Sequence, residues 1–406
     1  MLVAEVVCTL RREARPELRR AAYLLSALAN NLPDIDGIYA SWLTGPAPIG
    51  YLVHHRGHTH TLLFAALGAP LLYWLALRLY RRKKVEFSRS ESRVLLGLTL
   101  AGPLLHLLMD FGNNYGVHPF WPVSGEWFYG DTIFIIEPLW LVLLIPILAH
   151  RLERRWLKVL LWGLLGLLLV LCWFVPFVPT AVRFTLLGLT ALGFALTRWA
   201  SRSLQLGFAV IGCVAVALVF RVGSARAKQA ARDATTSAFP ALELYDVVAS
   251  PMPGNPTCWE ALLVGEQSGL YRVLRAKVAL APLSLDGCAA GQDIDSTAKV
   301  KRLDRPDRLG VRFQTEFSAQ VEDVIALRER DCRFRALLHF TRVPYAQPTP
   351  GAPPFPQQFQ AGDLRYDRAP DQDFPDIALS LDSPWECPRF VPGWHPPRED
   401  IFKHDL

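Results

Sequence analysis

The chain has 406 residues, is 51% hydrophobic and only 20% charged, and carries a formal charge of +6. That length allows more than one domain, and the long apolar runs are confined to residues 1–222, while 225–406 read as soluble sequence. The positive charge does not point to nucleic acid, because the arginines fall between apolar runs rather than on one patch with interleaved aromatics.

Met1–Leu10 is apolar but lacks the basic start and small-residue cleavage site of a secretory signal peptide. Ala21–Leu32 predicts a short apolar helix ended by Pro33, too short to cross a bilayer, which takes about 20 residues. Runs at Thr61–Tyr80, Val94–Phe111, Thr132–His150, Trp156–Val178, Ala181–Trp199 and Leu206–Val222 each approach that length. The expected fold is therefore a mainly α membrane bundle of about six to seven helices over 1–224. A β-rich extracytoplasmic domain is expected over 225–406.

Basic residues set the orientation. Loop 81–93 holds Arg81, Arg82, Lys83, Lys84, Arg89 and Arg93, which places it in the cytoplasm. Alternation then puts 112–131, which has no Lys or Arg, outside, together with 176–183 and 223–406. Arg151, Arg154, Arg155, Arg198 and Arg202 fall on the inner side, as that scheme requires. The chain reads as a multi-pass protein of the cytoplasmic (inner) membrane whose C-terminal domain lies outside.

In the outer domain, Ala261–Val264 and Leu270–Ala279 flank a hairpin turn at Gly265–Gly269. Val311–Phe317, Cys332–Val343 and Asp376–Leu381 read as further strands, Val321–Arg330 as a short helix, and Tyr345–Gln358 as a surface loop. Cys258, Cys288, Cys332 and Cys387 lack the C-x-x-C spacing of a zinc site, so in an oxidising compartment they are disulfide candidates.

Three stretches carry the chemistry. His54-His55-Arg56-Gly57-His58-Thr59-His60 puts four imidazoles before an apolar run, and imidazole suits zinc and other transition metals. His106 and Asp110, at i and i+4, share one helix face, which suits one divalent ion; a helix-end histidine beside a water-facing aspartate is the plain alternative. Pro33-Asp34-Ile35-Asp36 puts two carboxylates at the mouth of an apolar helix, although Pro and Asp also suit an ordinary turn. Glu137 precedes Pro138 inside an apolar run, where an unpaired carboxylate is costly, so it reads as a ligand or its support. Asp131 reads equally well as a helix N-cap. Arg56 suits bidentate binding of a phosphate, or the plain role of an arginine at the bilayer surface. Asn113, Asn114, Tyr115 and Gly116 form a turn, and Trp121, Trp127 and Tyr129 read as an interfacial aromatic belt. All the candidate ligands fall on the outer face, although charge alone drew the map.

The order Pro33-Asp34-Ile35-Asp36, His55-Arg56-Gly57-x-Thr59-His60, His106-x-x-x-Asp110 with Tyr115-Gly116, then Asp131 and Glu137-Pro138-Leu139 resembles the YdjM/YfhP-like family of membrane-bound metal-dependent hydrolases. Phe340-Thr341-Arg342-Val343-Pro344 and Gly362-Asp363-Leu364-Arg365-Tyr366 look like later motifs of that family. That family is itself distantly similar to zinc-dependent phospholipase C and the P1-type nuclease. The resemblance implies a divalent metal, zinc by that similarity, held by His106 and Asp110 with His55 or His60 and with Asp34 or Asp36. Where family members often begin with Asp-x-x-Thr-His, this sequence reads Met1-Leu2-Val3-Ala4-Glu5, so the coding sequence is expected either to start further upstream or to lack one ligand.

The function expected is metal-dependent hydrolysis of a phosphoester in a lipid or envelope molecule, with Asp34 or Asp36 as general base and Arg56 on the phosphate. His55, His60, His106, Asp110, Asp36 and Glu137 are the candidate ligands. The alternative is a metal-handling, transport or regulatory membrane protein with a relic site. No repeated halves with broken helices favour transport.

Overall fold

The computed structural model describes residues 1–11, 14–43, 47–175, 177–289, 300–348, 358–366, 376–380 and 387–402. The chain opens with α1 (Leu2–Leu10), α2 (Pro16–Asn30), a 3-10 segment (Pro33–Ile38), α3 (Ala40–Leu43) and α4 (Ala47–His54). The bundle continues with α5 (Leu62–Arg82), α6 (Arg89–Phe111), α7 (Pro138–Arg151), α8 (Arg155–Phe174), α9 (Thr180–Trp199) and α10 (Arg202–Ala238). Among the described residues, α5, α6, α8, α9 and α10 are long and apolar enough to cross a membrane, and the shorter apolar α7 packs among them.

Local chemistry sets the helix ends. Thr61 caps α5 by accepting from Phe64 N at 3.0 Å, and a capping box between Ser88 and Glu91 starts α6. That box extends α6 five residues ahead of the expected Val94. The expected helix from Thr132 begins only at Pro138, because a residue before proline is biased away from the α region.

The strand domain is built on the antiparallel strands β1 (Glu243–Met252), β2 (Asn255–Gln267), β3 (Leu270–Ala279), β4 (Val300–Arg302) and β5 (Val311–Gln320), in the sheet order β1-β2-β3-β5-β4. After α11 (Val321–Arg330) and α12 (Cys332–Leu338), β6 (Pro344–Pro348), β7 (Gln358–Asp363) and β8 (Ile377–Ser380) form a second antiparallel sheet. The β2–β3 hairpin turns on Ser268 and Gly269 alone, both with positive φ, so Gly265 and Glu266 lie in the strand rather than in the turn.

Alternation along β2 buries both faces of the large sheet. Ala261 and Leu263 face Phe220, Ala227, Ala231 and Ala234 of α10. Leu262 and Val264 face Phe334, Leu337 and Phe340, in a core that also takes in Ile49, Leu52 and Val53 of α4. One core therefore runs from the membrane-proximal helices into the domain.

Two expectations need correcting, and one helix runs past the boundary expected for it. The stretch expected as a strand from Cys332 is helical to Leu338, since Asp331 caps it by accepting from Arg333 N at 2.8 Å and Phe334 N at 3.1 Å. Tyr345 belongs to a buried strand, not a surface loop, while 349–357 lie outside the described residues. The boundary at 224/225 falls inside α10, whose alanine-rich half continues the helix and lets the sheet approach.

Disulfides join Cys258 to Cys288 and Cys332 to Cys387, with Cα–Cα distances of 5.2 and 5.5 Å. The second ties the start of α12 to the segment carrying Trp394.

Candidate metal centre

The packing of α2 on α6 assembles the site. A Cβ on Gly102 would come within 2.6 Å of Ala29 Cβ, so the two helices touch where both residues are small. Gly102 lies one turn before His106, and Ala29 lies just before the 3-10 segment that carries Asp34 and Asp36. Close approach at Gly102 thereby delivers the carboxylates to the level of His106. The turn between α4 and α5 brings His60 to the same place, fully buried.

Four donor atoms converge there. His106 Nε2 lies 3.2 Å from His60 Nε2, 3.4 Å from Asp34 Oδ1 and 3.2 Å from Asp110 Oδ2. His60 Nε2 lies 3.5 Å from Asp34 Oδ1 and 3.3 Å from Asp110 Oδ2. Metal–ligand bonds of about 2.0–2.2 Å in a tetrahedron give donor–donor edges of about 3.3–3.6 Å, close to those of the triangle formed by Asp34, His60 and His106. Asp110 Oδ2 is buried and makes no hydrogen bond of acceptable geometry, which leaves its lone pairs facing the cluster. Asp34, His60 and His106 each offer one ligand atom, all within 4.8 Å of one another, and this triad could hold a divalent cation, with Asp110 Oδ2 beside the two histidines.

Asp36 supports the cluster from behind. Its Oδ2 accepts from Arg56 N at 2.9 Å and Thr59 Oγ1 at 3.0 Å and meets His60 Nδ1 at 3.1 Å, while Oδ1 meets His55 Nδ1 at 3.3 Å. A carboxylate on Nδ1 fixes the imidazole so that Nε2 faces the cluster. Burial alone raises the Asp36 carboxyl, but the hydrogen bonds from His55 and His60 outweigh it and hold the group below the usual carboxylate range. Asp34 is held low by His106 and then His60. For His60, burial works against the charge, but the carboxylates of Asp110, Asp34 and Asp36 around it push it up to about 10.

The other expected residues fall in different places. His55 stacks on Tyr51 at 4.7 Å and reaches Asp36, not the cluster. Arg56, at φ 58°, sends its guanidinium to Asp110 Oδ1 at 2.9 Å and Asn113 Oδ1 at 2.9 Å, over the Tyr115 ring at 4.6 Å. It orients Asp110 rather than standing free for a phosphate. Glu137 is not in the cluster: it caps α7, accepting from Leu139 N and Gly254 N, and burial outweighs those bonds and pushes it up to about 7. Asp131 is no helix cap; it is buried between Lys228 at 2.6 Å and Arg342 at 2.8 Å. His58 packs on Trp121 and Trp394.

The aromatic belt is an interior seam. Trp127 donates from Nε1 to His339 O, and Tyr129 lies beneath Arg342, with 4.0 Å from its ring centroid to the guanidinium. Arg365 donates to Asn114 O at 2.7 Å and Tyr115 O at 3.2 Å, and Trp394 Nε1 donates to Val53 O at 2.8 Å. Arg342 and Arg365 share Asp363, which accepts from Arg342 N and the Arg365 guanidinium. These strand-domain residues clamp the loop that follows Asp110. The motif-like segments at 340–344 and 362–366 were the available signal for them.

Fold and site together define a polytopic membrane protein with a buried His/Asp cluster at one end of its helices and a disulfide-bonded strand domain above it. Residues 1–177 match the family model described as YdjM inner membrane protein, which agrees with the motifs in that half and ends before the strand domain. No curated protein and no solved structure matches.

Proposed function

We propose that this inner membrane protein is a metal-dependent hydrolase acting on a phosphoester of a lipid or envelope molecule. The observation that carries the reading is the triad of Asp34, His60 and His106, whose ligand atoms lie within 4.8 Å of one another, with Asp110 Oδ2 beside both histidines and lacking a hydrogen bond. A divalent ion there, zinc by the donor set, would supply Lewis acidity and lower the pKa of bound water. Asp34, His60 and His106 would hold the ion with Asp110 beside them, Asp36 orients His60, and Arg56 orients Asp110. Asp34, with 46% of its side chain exposed, is the member open to the outside. In the hydrolysis, a water oxygen bonds to phosphorus, one P–O ester bond breaks, and the departing alcohol oxygen takes up a proton.

The test is metal analysis of purified protein beside a screen of generic phosphodiesters. About one divalent ion per chain and turnover lost with chelator are expected. Protein that binds no divalent ion sinks the reading.

The same reading puts the site on the outer side. Arg15 with Glu91, Arg20 with Glu153, and Arg202 with Glu5 pair across one end of the bundle, where the basic loops gather, and the metal cluster lies at the other. Positive charge marks the cytoplasmic end, and two disulfides suit the outer side. A reporter active only in the cytoplasm, fused after Leu406, is expected to stay silent; a strong signal overturns this orientation.

A further inference from the structure

The cluster is sealed on most sides. His60 and Asp36 are fully buried, His106 and Asp110 nearly so, and Asp34 alone opens outward. What surrounds that opening is apolar. In a 3-10 helix residues i and i+3 eclipse, so Ile35 and Ile38 share a face beside Asp34, and Ile38 is 67% exposed. Trp42 of α3 follows at 79% exposed. On α6, Leu105, Leu108 and Met109 bracket His106 and Asp110 and are also exposed. Gly37 eclipses Asp34 one 3-10 turn on, and a Cβ there would meet nothing within 4 Å. The surface is therefore open one 3-10 turn from Asp34.

A site for a water-soluble ester has no use for such a rim. Contiguous exposed apolar surface marks a partner or a membrane. Here the rim continues the outer surface of α6, a membrane-span candidate, so the face that covers it is the bilayer itself. An exposed tryptophan at the end of such a surface suits the headgroup boundary. Asp34 then stands where lipid phosphates lie, and acyl chains have an apolar wall along α6 to follow.

We infer that the substrate is a bilayer-resident phospholipid, which reaches the cluster sideways from the outer leaflet across the rim formed by Ile35, Ile38, Trp42 and the Leu105–Met109 turn of α6. This rests on the hydrolase reading above and commits it to a lipid rather than a soluble envelope ester.

The test uses the full-length metal-loaded protein in vesicles of phosphatidylethanolamine and phosphatidylglycerol, beside bis(p-nitrophenyl) phosphate in solution. Cleavage of vesicle lipid is expected. The Ile38→Ser/Trp42→Ser double variant, altered only at exposed positions, is expected to raise the apparent KM for vesicle lipid about tenfold, a loss of roughly 1.4 kcal/mol in apolar contact. Its metal content per folded molecule should match the parent. An unchanged KM overturns the inference, and so does a KM rise accompanied by loss of metal. Cleavage of the soluble ester with none of the vesicle lipid overturns lateral access and leaves the hydrolase reading standing. Cleavage of neither by metal-loaded protein sinks both.

Discussion

His106→Ala is expected to remove most of the bound metal and nearly all hydrolysis while the protein stays inserted and folded. Its Nε2 lies within 3.4 Å of His60 Nε2, Asp34 Oδ1 and Asp110 Oδ2, so its loss leaves two carboxylates and one imidazole with a weaker hold on a cation. Outer partners of metal ligands typically cost 10–100-fold in affinity when mutated, so a ligand itself should cost at least about a hundredfold. Asp110→Asn should do nearly the same: the amide keeps the shape and loses the charge, and Arg56 then faces a neutral group. Were the pair only structural, losing a buried hydrogen-bonded group would cost about 1–3 kcal/mol and lower the melt instead. Metal per folded molecule, measured beside a thermal melt, separates the cases. Unchanged metal with a lowered melt sinks the site.

The second large effect concerns Arg342. Its guanidinium is buried against Asp131 Oδ1 at 2.8 Å and Asp246 Oδ2 at 2.8 Å, one carboxylate from the loop after α6 and one from β1. Burial works against its charge, but Asp131 and Asp246 raise its pKa well above the ordinary value, so it stays a cation at any pH the protein meets. Arg342→Met keeps the bulk and strands two buried carboxylates. Breaking a buried pair from one side costs about 3–5 kcal/mol; Lys228 on Asp131 and Arg398 near Asp246 keep the expectation near the lower end. Faster proteolysis of the strand domain and a lowered melt are expected. A melt within about 0.5 kcal/mol of the parent, the usual scatter of neutral surface changes, would refute a clamping role.

Much of the bundle was legible because apolar length and basic flanks are one-dimensional signals. The expected run Thr61–Tyr80 differs from α5 by one residue at its start and two at its end. His106 and Asp110 were legible because helical spacing fixes which residues share a face. Which of Asp34 and Asp36 meets the cluster was not, since they sit two apart on a 3-10 turn and the answer depends on where His55 and His60 arrive. Trp127 and Tyr129 misled because an aromatic seam between two parts of a protein has the composition of a membrane interface. The partner of Arg56 was not legible for a related reason: a guanidinium fork suits a carboxylate as well as a phosphate, and here it meets Asp110. Residues 225–238 misled because a soluble composition says nothing about whether a helix has stopped.

That last helix has a mechanical consequence. At 1.5 Å per residue, its 37 residues form a rod of about 55 Å. One half lies at bilayer depth and the other is pressed into the face of the large sheet, with β1 beginning at Glu243, shortly after the helix ends at Ala238. The strand domain therefore hangs from an axle rather than a tether. A tilt of the span is therefore expected to carry the sheet with it, and Arg342 and Arg365 join that sheet's domain to the loop beside Asp110.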